Sequence, residues 1–201
     1  MITLLIILAE KGLLPDAIIR LGIRRLCSQR LEEAKSLNEA EMEQKHTAWI
    51  NVLKESPIAL VPEKANEQHY EVPPRLFELV LGNKLKYSSG LWPEGVSSLD
   101  ESEVAMLKLT VERAGLVDGQ DVLELGCGWG SLTLYMAEHF PKSKITVVSN
   151  SNDQRQFIET RCEESNFKNV EIITADMNDF NTTKLFDRVV SIEMFEHMRN
   201  Y

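Results

Sequence analysis

The chain has 201 residues, 43% hydrophobic and 26% charged, with a formal net charge of −9 and a pI of about 5.0. That length supports a domain with a real core. The acidic balance, with no basic stripe among aromatics, argues against a nucleic-acid partner, which needs Lys and Arg in excess to face the phosphates.

Cys27, Cys127 and Cys162 are far apart and odd in number. They make neither a disulfide framework nor a CxxC metal site, and a reducing, cytoplasmic setting fits best. No segment reaches the roughly 18 apolar residues of a membrane-spanning helix. The start, Met1 to Ala9, is apolar but lacks a basic leader and a convincing cleavage site. It reads as the buried face of a first helix, with a membrane-contacting helix as the alternative.

Residues 1 to about 56 look helical. Pro15-Asp16 can begin a second helix, in which Ile18, Leu21, Ile23 and Leu26 share a face. Arg20, Arg24, Arg25 and Arg30 decorate the rest. They read as a solvated face, and peripheral contact with an anionic lipid surface is the less favoured alternative. Between 57 and 98, Pro57, Pro62, Pro73, Pro74 and Pro93 break regular structure, leaving one short helix between Arg75 and Leu81. A cleaner helix follows. Ser98 and Glu101 have capping-box spacing, Val104, Leu107, Val111 and Ala114 repeat on one face, and Gly115 is a stop.

Strands and helices then alternate: strands at about Asp121–Leu125, Lys144–Val148, Val170–Thr174 and Arg188–Ile192, helices at about Ser131–His139 and Asp153–Ser165. This alternation implies a parallel sheet with right-handed crossovers. In the order 3-2-1-4 the fourth strand is an open apolar edge, an aggregation liability. The chain therefore reads as a fragment or truncated isoform of a protein roughly twice as long. Residues 1–98 form a helical and lid segment, and 99–201 an incomplete α/β domain. No pattern speaks to the oligomeric state.

The first strand runs into Glu124-Leu125-Gly126-Cys127-Gly128-Trp129-Gly130, an acid followed by glycines at alternate positions. Such a turn lets backbone approach a ligand closely. A dinucleotide fingerprint would have a third glycine at Ser131 and an acid closing the second strand, where Ser149-Asn150 stands instead. The spacing Glu124-x-Gly126-x-Gly128-x-Gly130 resembles the cofactor loop of class I S-adenosylmethionine (SAM)-dependent methyltransferases. That likeness implies that the methionine end of SAM passes over Gly126 and Gly128, with Glu124 holding its ammonium directly or through water.

After the second strand, Ser149, Asn150, Ser151 and Gln154 are neutral hydrogen-bonding groups suited to ribose hydroxyls; an N-cap at Ser151 or Asn152 would use the same residues. After the third strand, Asp176 can accept from the adenine amine and Met177 can pack on the ring; a loop Asp capping its own turn is the alternative. After the fourth, Glu193, Glu196 and His197 have i, i+3, i+4 spacing, one face of a helical turn. That arrangement can orient an imidazole and raise its basicity. A lone His without a partner cluster does not suggest zinc, so no metal is expected.

From Gln68 to Tyr201 the chain resembles the cyclopropane-fatty-acyl-phospholipid synthase/coclaurine N-methyltransferase family. The likeness rests on His69-Tyr70-Glu71-Val72-Pro73, Leu85-Lys86-Tyr87-Ser88-Ser89-Gly90-Leu91-Trp92, the glycine loop, Ser149-Asn150-Ser151 and Met194-Phe195-Glu196-His197-Met198-Arg199-Asn200-Tyr201. It implies a Rossmann-like class I methyltransferase fold, cut short after strand four, with an N-terminal helical lid and SAM as cofactor. Glu196 and His197 match the pair that orients and deprotonates an amine. Glu193 and Glu71 match substrate-side acids. Tyr70, Tyr87 and Trp92 either line the lid or simply pack. Lipid synthases carry Cys where Ser89 stands, and Leu91 departs from their pattern too. The implied function is therefore methyl transfer to a small-molecule amine, with lipid modification or a silent SAM-binding fragment as alternatives.

Overall fold

The computed structural model describes residues 2–35, 38–60 and 73–200. The chain forms two compact units, Met1–Leu53 and Lys54–Tyr201. The first holds α1 (Ile2–Glu10), α2 (Asp16–Lys35) and most of α3 (Glu39–Glu55). Asn38 caps α3 reciprocally: its side chain accepts from the Glu41 amide at 2.9 Å, and its own amide donates to the Glu41 carboxylate at 3.0 Å. Among the described side chains, the apolar start is less buried than expected. Leu5, Ile6 and Ile7 are exposed, as are Ile18, Leu21, Ile23 and Leu26 of α2. Nearly every residue of α1 is apolar, so no single packed stripe can take in its whole circumference.

The second unit contains α4 (Pro74–Val80), α5 (Leu99–Arg113), β1 (Asp121–Leu125), α6 (Ser131–His139), β2 (Lys144–Ser149), α7 (Asn152–Glu164), β3 (Val170–Thr174), β4 (Arg188–Ser191) and a 3₁₀ turn at Phe195–His197. The α-helices and strands follow the sequence expectation within a residue or two. The sheet is parallel in the expected order β3-β2-β1-β4. β2 is buried at every position after Lys144, as an interior parallel strand should be. Leu107, Leu132, Met136, Ile145, Val147 and Ile158 pack around it as the centre of the core. β4 pairs with β1 on one side, and Val189 points outward at 60% exposure, so the predicted apolar edge is present.

α5 begins with the predicted capping box at Ser98 and Glu101. It ends with Leu116 N–H donating to Val111 and Gly115 N–H to Glu112, the doubled bond pattern of a Schellman stop. Its most buried residues, however, are polar. Glu103 has no solvent exposure. Its carboxylate accepts from the backbone amides of Gly82 at 2.9 Å, Lys84 at 3.0 Å and Lys86 at 3.3 Å. Beside it, Asp100 accepts from the Asn83 amide and the Ser102 carbonyl from the Leu91 amide. The first turns of α5 thus clamp the 82–91 segment onto the unit.

Glu103→Gln exchanges one acceptor oxygen for a donor that faces buried N–H groups. It should lower unfolding stability by about 2 kcal/mol, since stranding buried donors costs roughly 1–3 kcal/mol. Urea unfolding measures this, and an unchanged midpoint would show that the carboxylate is not the clamp.

Candidate functional site

Parallel pairing places Leu125 of β1 opposite Val148 of β2 and Ser191 of β4. The C-terminal strand ends therefore share one sheet edge, and a cavity of about 640 Å³ opens there. From β1 and its turn come Glu124, Gly126 and Gly128; from β2 and α7, Ser149, Asn150 and Gln154. Asp176 and Met177 follow β3, while Glu193, Glu196 and His197 follow β4. Tyr87 also lines the cavity.

Two predicted residues do not line it. Gly130, at φ 80°, sits with its α-carbon against α7: a Cβ there would lie 2.7 Å from Ile158. It serves helix packing rather than ligand approach. Trp92 is 56% exposed and outside the cavity wall. Two residues before it, Gly90 backs onto Ser102 of α5. Tyr70 and Glu71 lie outside the described residues. At Gly128, φ 54°, a built Cβ meets nothing within 4 Å, so the missing side chain leaves open room in the cavity, whereas at Gly126, φ 76°, a Cβ would lie 2.8 Å from Met194 Sδ, so that glycine makes way for the loop after β4.

Glu124 is only 3% exposed, and the Thr133 hydroxyl donates to it at 2.6 Å. Burial pushes the Glu124 carboxyl up to about 8, with the Thr133 bond offsetting part of the rise. The neighbouring Cys127 thiol is pushed far up by burial and then by the Glu124 charge, leaving it unreactive.

Ser149 donates to the Gln154 carbonyl at 2.7 Å and accepts from the Ser151 amide, so its hydroxyl is already engaged. Ser151 caps α7. Among the described residues, four buried side-chain atoms lack a partner: Gln154 Nε2, Ser131 Oγ and Trp129 Nε1, all from cavity-lining residues, and Thr174 Oγ1 of β3, which does not line the cavity. Asp176 accepts from the Asn178 amide at 2.7 Å, so it caps its own turn, as the alternative reading held, and still lines the cavity.

The predicted helical face after β4 is not formed. Among the described residues after β4, the only helical turn spans Phe195–His197, and Glu193 precedes it with φ 51°. A left-handed Glu is strained, a condition that the surrounding structure must enforce and that clusters at functional sites. Glu193, Glu196 and His197 nevertheless share the cavity wall, brought together by a sharp turn and not by helical spacing.

A strap from Ser56 to Leu60 fastens this loop. Ala59 bridges Met198, Arg199 N–H donates to Ile58 at 2.7 Å, and the Asn200 side chain donates to Ser56 at 3.0 Å. Asn178 pins the same strap, accepting from the Ala59 amide and donating to its carbonyl, each at 3.0 Å.

Sequence reasoning missed Thr133, Ser131, Lys86 and the strap. The hydroxyls sit one and three residues past the glycine turn, a spacing that carried the only available signal. Among the described residues, no group of three or more His, Cys, Asp or Glu side chains is placed to hold a metal.

The raised Glu124 value fixes the sign of a pH effect. An acid that titrates higher when folded favours folding while protonated. Its contribution is complete below the unfolded value of about 4.3 and lost as pH rises to about 8. Across pH 5 to 8, the wild-type melting temperature should fall relative to Glu124→Gln. Parallel melting curves would place the carboxyl in its ordinary range.

The sequence matches the mycolic acid cyclopropane synthetase family over residues 61–201. It is 39% identical over 196 residues to (S)-coclaurine N-methyltransferase of Thalictrum flavum subsp. glaucum, covering 96% of this chain and 53% of that protein. It is 36% identical over 137 residues to cyclopropane-fatty-acyl-phospholipid synthase of Escherichia coli K12, covering 67% of this chain and 34% of that one. A crystal structure of coclaurine N-methyltransferase bound to N-methylheliamine and SAH superposes with a TM-score of 0.87 at 37% identity, covering 100% of this chain and 58% of that chain. The chain spans about half the length of the curated relatives it matches. With its parallel α/β sheet and these relatives, the chain belongs to the mycolic acid cyclopropane synthetase family and has the class I methyltransferase fold.

Proposed function

We propose that the protein is a SAM-dependent methyltransferase acting on a small-molecule amine, in a cytoplasmic setting that its free cysteines suit. One observation carries this reading: a single cavity is lined both by the glycine turn with Glu124 and by Glu193, Glu196 and His197. The residues fit the cofactor chemically. Gly128 leaves a backbone surface with no side chain in the way. Gln154 Nε2 and Ser131 Oγ are buried donors still in need of acceptors, and Asn150 offers a further neutral partner for ribose. Asp176 keeps acceptor capacity for an adenine amine beyond its bond to Asn178, with Met177 beside it.

SAM supplies a methyl group on a sulfonium, which carries its own leaving group. The protein's task is to orient the acceptor, free its lone pair and exclude water. His197 takes the proton that an arriving ammonium must lose, Glu196 steadies the imidazole, and Glu193 and Glu71 attract the cationic acceptor. Amine rather than lipid is favoured because the likeness to coclaurine N-methyltransferase covers 96% of the chain and that to the lipid synthase 67%.

Calorimetric titration with S-adenosylhomocysteine (SAH) tests the cofactor half. The folded chain should bind it, and Gly128→Val should weaken binding by at least about 100-fold by filling the cradle. Unchanged affinity would contradict the loop assignment. For the chemistry, His197→Ala should cut methylation of a small secondary amine by roughly 100-fold, the usual scale for a positioned base, while SAH affinity shifts less than about threefold. Equal damage to both would make His197 structural.

A further inference from the structure

Lys86 is 7% exposed and lines the cavity that Glu124 and the glycine turn also line. Its ammonium donates to the Ser88 hydroxyl, another lining residue. No carboxylate among the described residues forms an ion pair with it; Glu193 and Glu103 act on it only through space. Glu103 is committed to three backbone amides, one of them Lys86's own. Desolvation accordingly pulls the Lys86 ammonium below its ordinary value, against those two carboxylates.

A desolvated cation without a paired anion is costly. The placement is also built. Leu85 takes a left-handed φ of 49° to turn Lys86, and Glu103 holds the amides on either side of that turn. SAM has one anionic group, the carboxylate of its amino-acid end.

We propose that Lys86 is the cationic partner of the cofactor's α-carboxylate, presented to the cavity by the clamped 82–91 segment. This rests on the cofactor reading above. Arg199 also lines the cavity, but it belongs to the loop after β4, has other contacts, and is not anchored by Glu103. Glu124 and Lys86 line the same cavity, so the ammonium and the carboxylate of the cofactor's amino-acid end each have a group of complementary chemistry there.

The test compares SAH with its decarboxylated analogue, which keeps the amine and lacks the carboxylate, by calorimetry on the 201-residue chain. Wild type should prefer SAH by roughly 10- to 100-fold, the scale of a charge-assisted hydrogen bond. Lys86→Met should bring the two ligands within about threefold by weakening SAH alone, with its fold checked by thermal melting. Lys86→Gln is measured in parallel, because its amide preserves a polar contact to Ser88 without the charge. Equal affinity of wild type for both ligands overturns the proposal. So does a preference that survives in the variants, which would assign the carboxylate to another group such as Arg199. Equal weakening of both ligands would make Lys86 a support for the cavity wall. If folded wild type binds neither ligand, the cofactor reading itself falls and takes this one with it.

Discussion

The site depends on β1 lying between β2 and β4 in parallel register. Parallel strands all point the same way, so pairing Leu125 with Val148 and Ser191 forces three strand exits to one edge. Each exit delivers a different chemistry: an acid with glycines, hydroxyls with an amide, and an acid pair with an imidazole. In an antiparallel arrangement the neighbouring exit would lie at the opposite edge, and these groups would be a strand length apart. The glycine turn adds a second constraint. Its backbone must bend tightly enough for α6 to start at Ser131, while Gly130 lets that helix approach Ile158 of α7.

Around this edge, the wall is held by polar groups more than by apolar packing. Glu103 gathers three amides of a segment with no regular structure, and such amides would otherwise be buried donors without acceptors. In the 56–60 strap, Asn178 accepts from the Ala59 amide and donates to its carbonyl, and Asn200 donates to the Ser56 carbonyl. An aromatic line supports the other side: Phe77 of α4 meets Tyr87 edge-on at 5.2 Å and Trp129 at 5.4 Å, and Trp129 meets Phe157 of α7 at 5.4 Å. The glycine turn, α4 and the Tyr87 segment are thereby packed as one body, so a change at Trp129 is felt on both sides of it.

What could be read in the sequence follows from the range of the interaction that determines it. Strands, helices and the Ser98 cap were legible because hydrophobic runs and caps act over a few residues. The parallel sheet followed from the alternation of strands and helices, and the order 3-2-1-4 was assumed there and is the one observed. The role of Gly130 was not legible, because three alternate glycines look alike until Ile158, 28 residues later, lies behind one of them. Glu193 was placed on a helical face because spacing assumes a regular helix, whereas its positive φ turns the chain first. Lys86 stood within the Leu85–Trp92 motif, but no local pattern marked it as buried. Its burial is set by Glu103, 17 positions away.

Glu124 and Lys86 share one physical condition from opposite signs. Each is a titratable group taken out of water, and in each desolvation favours the neutral form. Neither finds an ion-pair partner among the described residues. A fold selected for stability alone would replace both with apolar residues of similar size. Their retention at one cavity makes sense if the missing counter-charges arrive together. A zwitterionic ligand supplies both while adding no net charge, so its binding relieves two desolvation costs at once. It would also draw Glu124 toward its ionised form, releasing a proton near neutral pH. On the proposed reading, the cost of keeping two desolvated titratable groups is offset when an amino-acid head group binds.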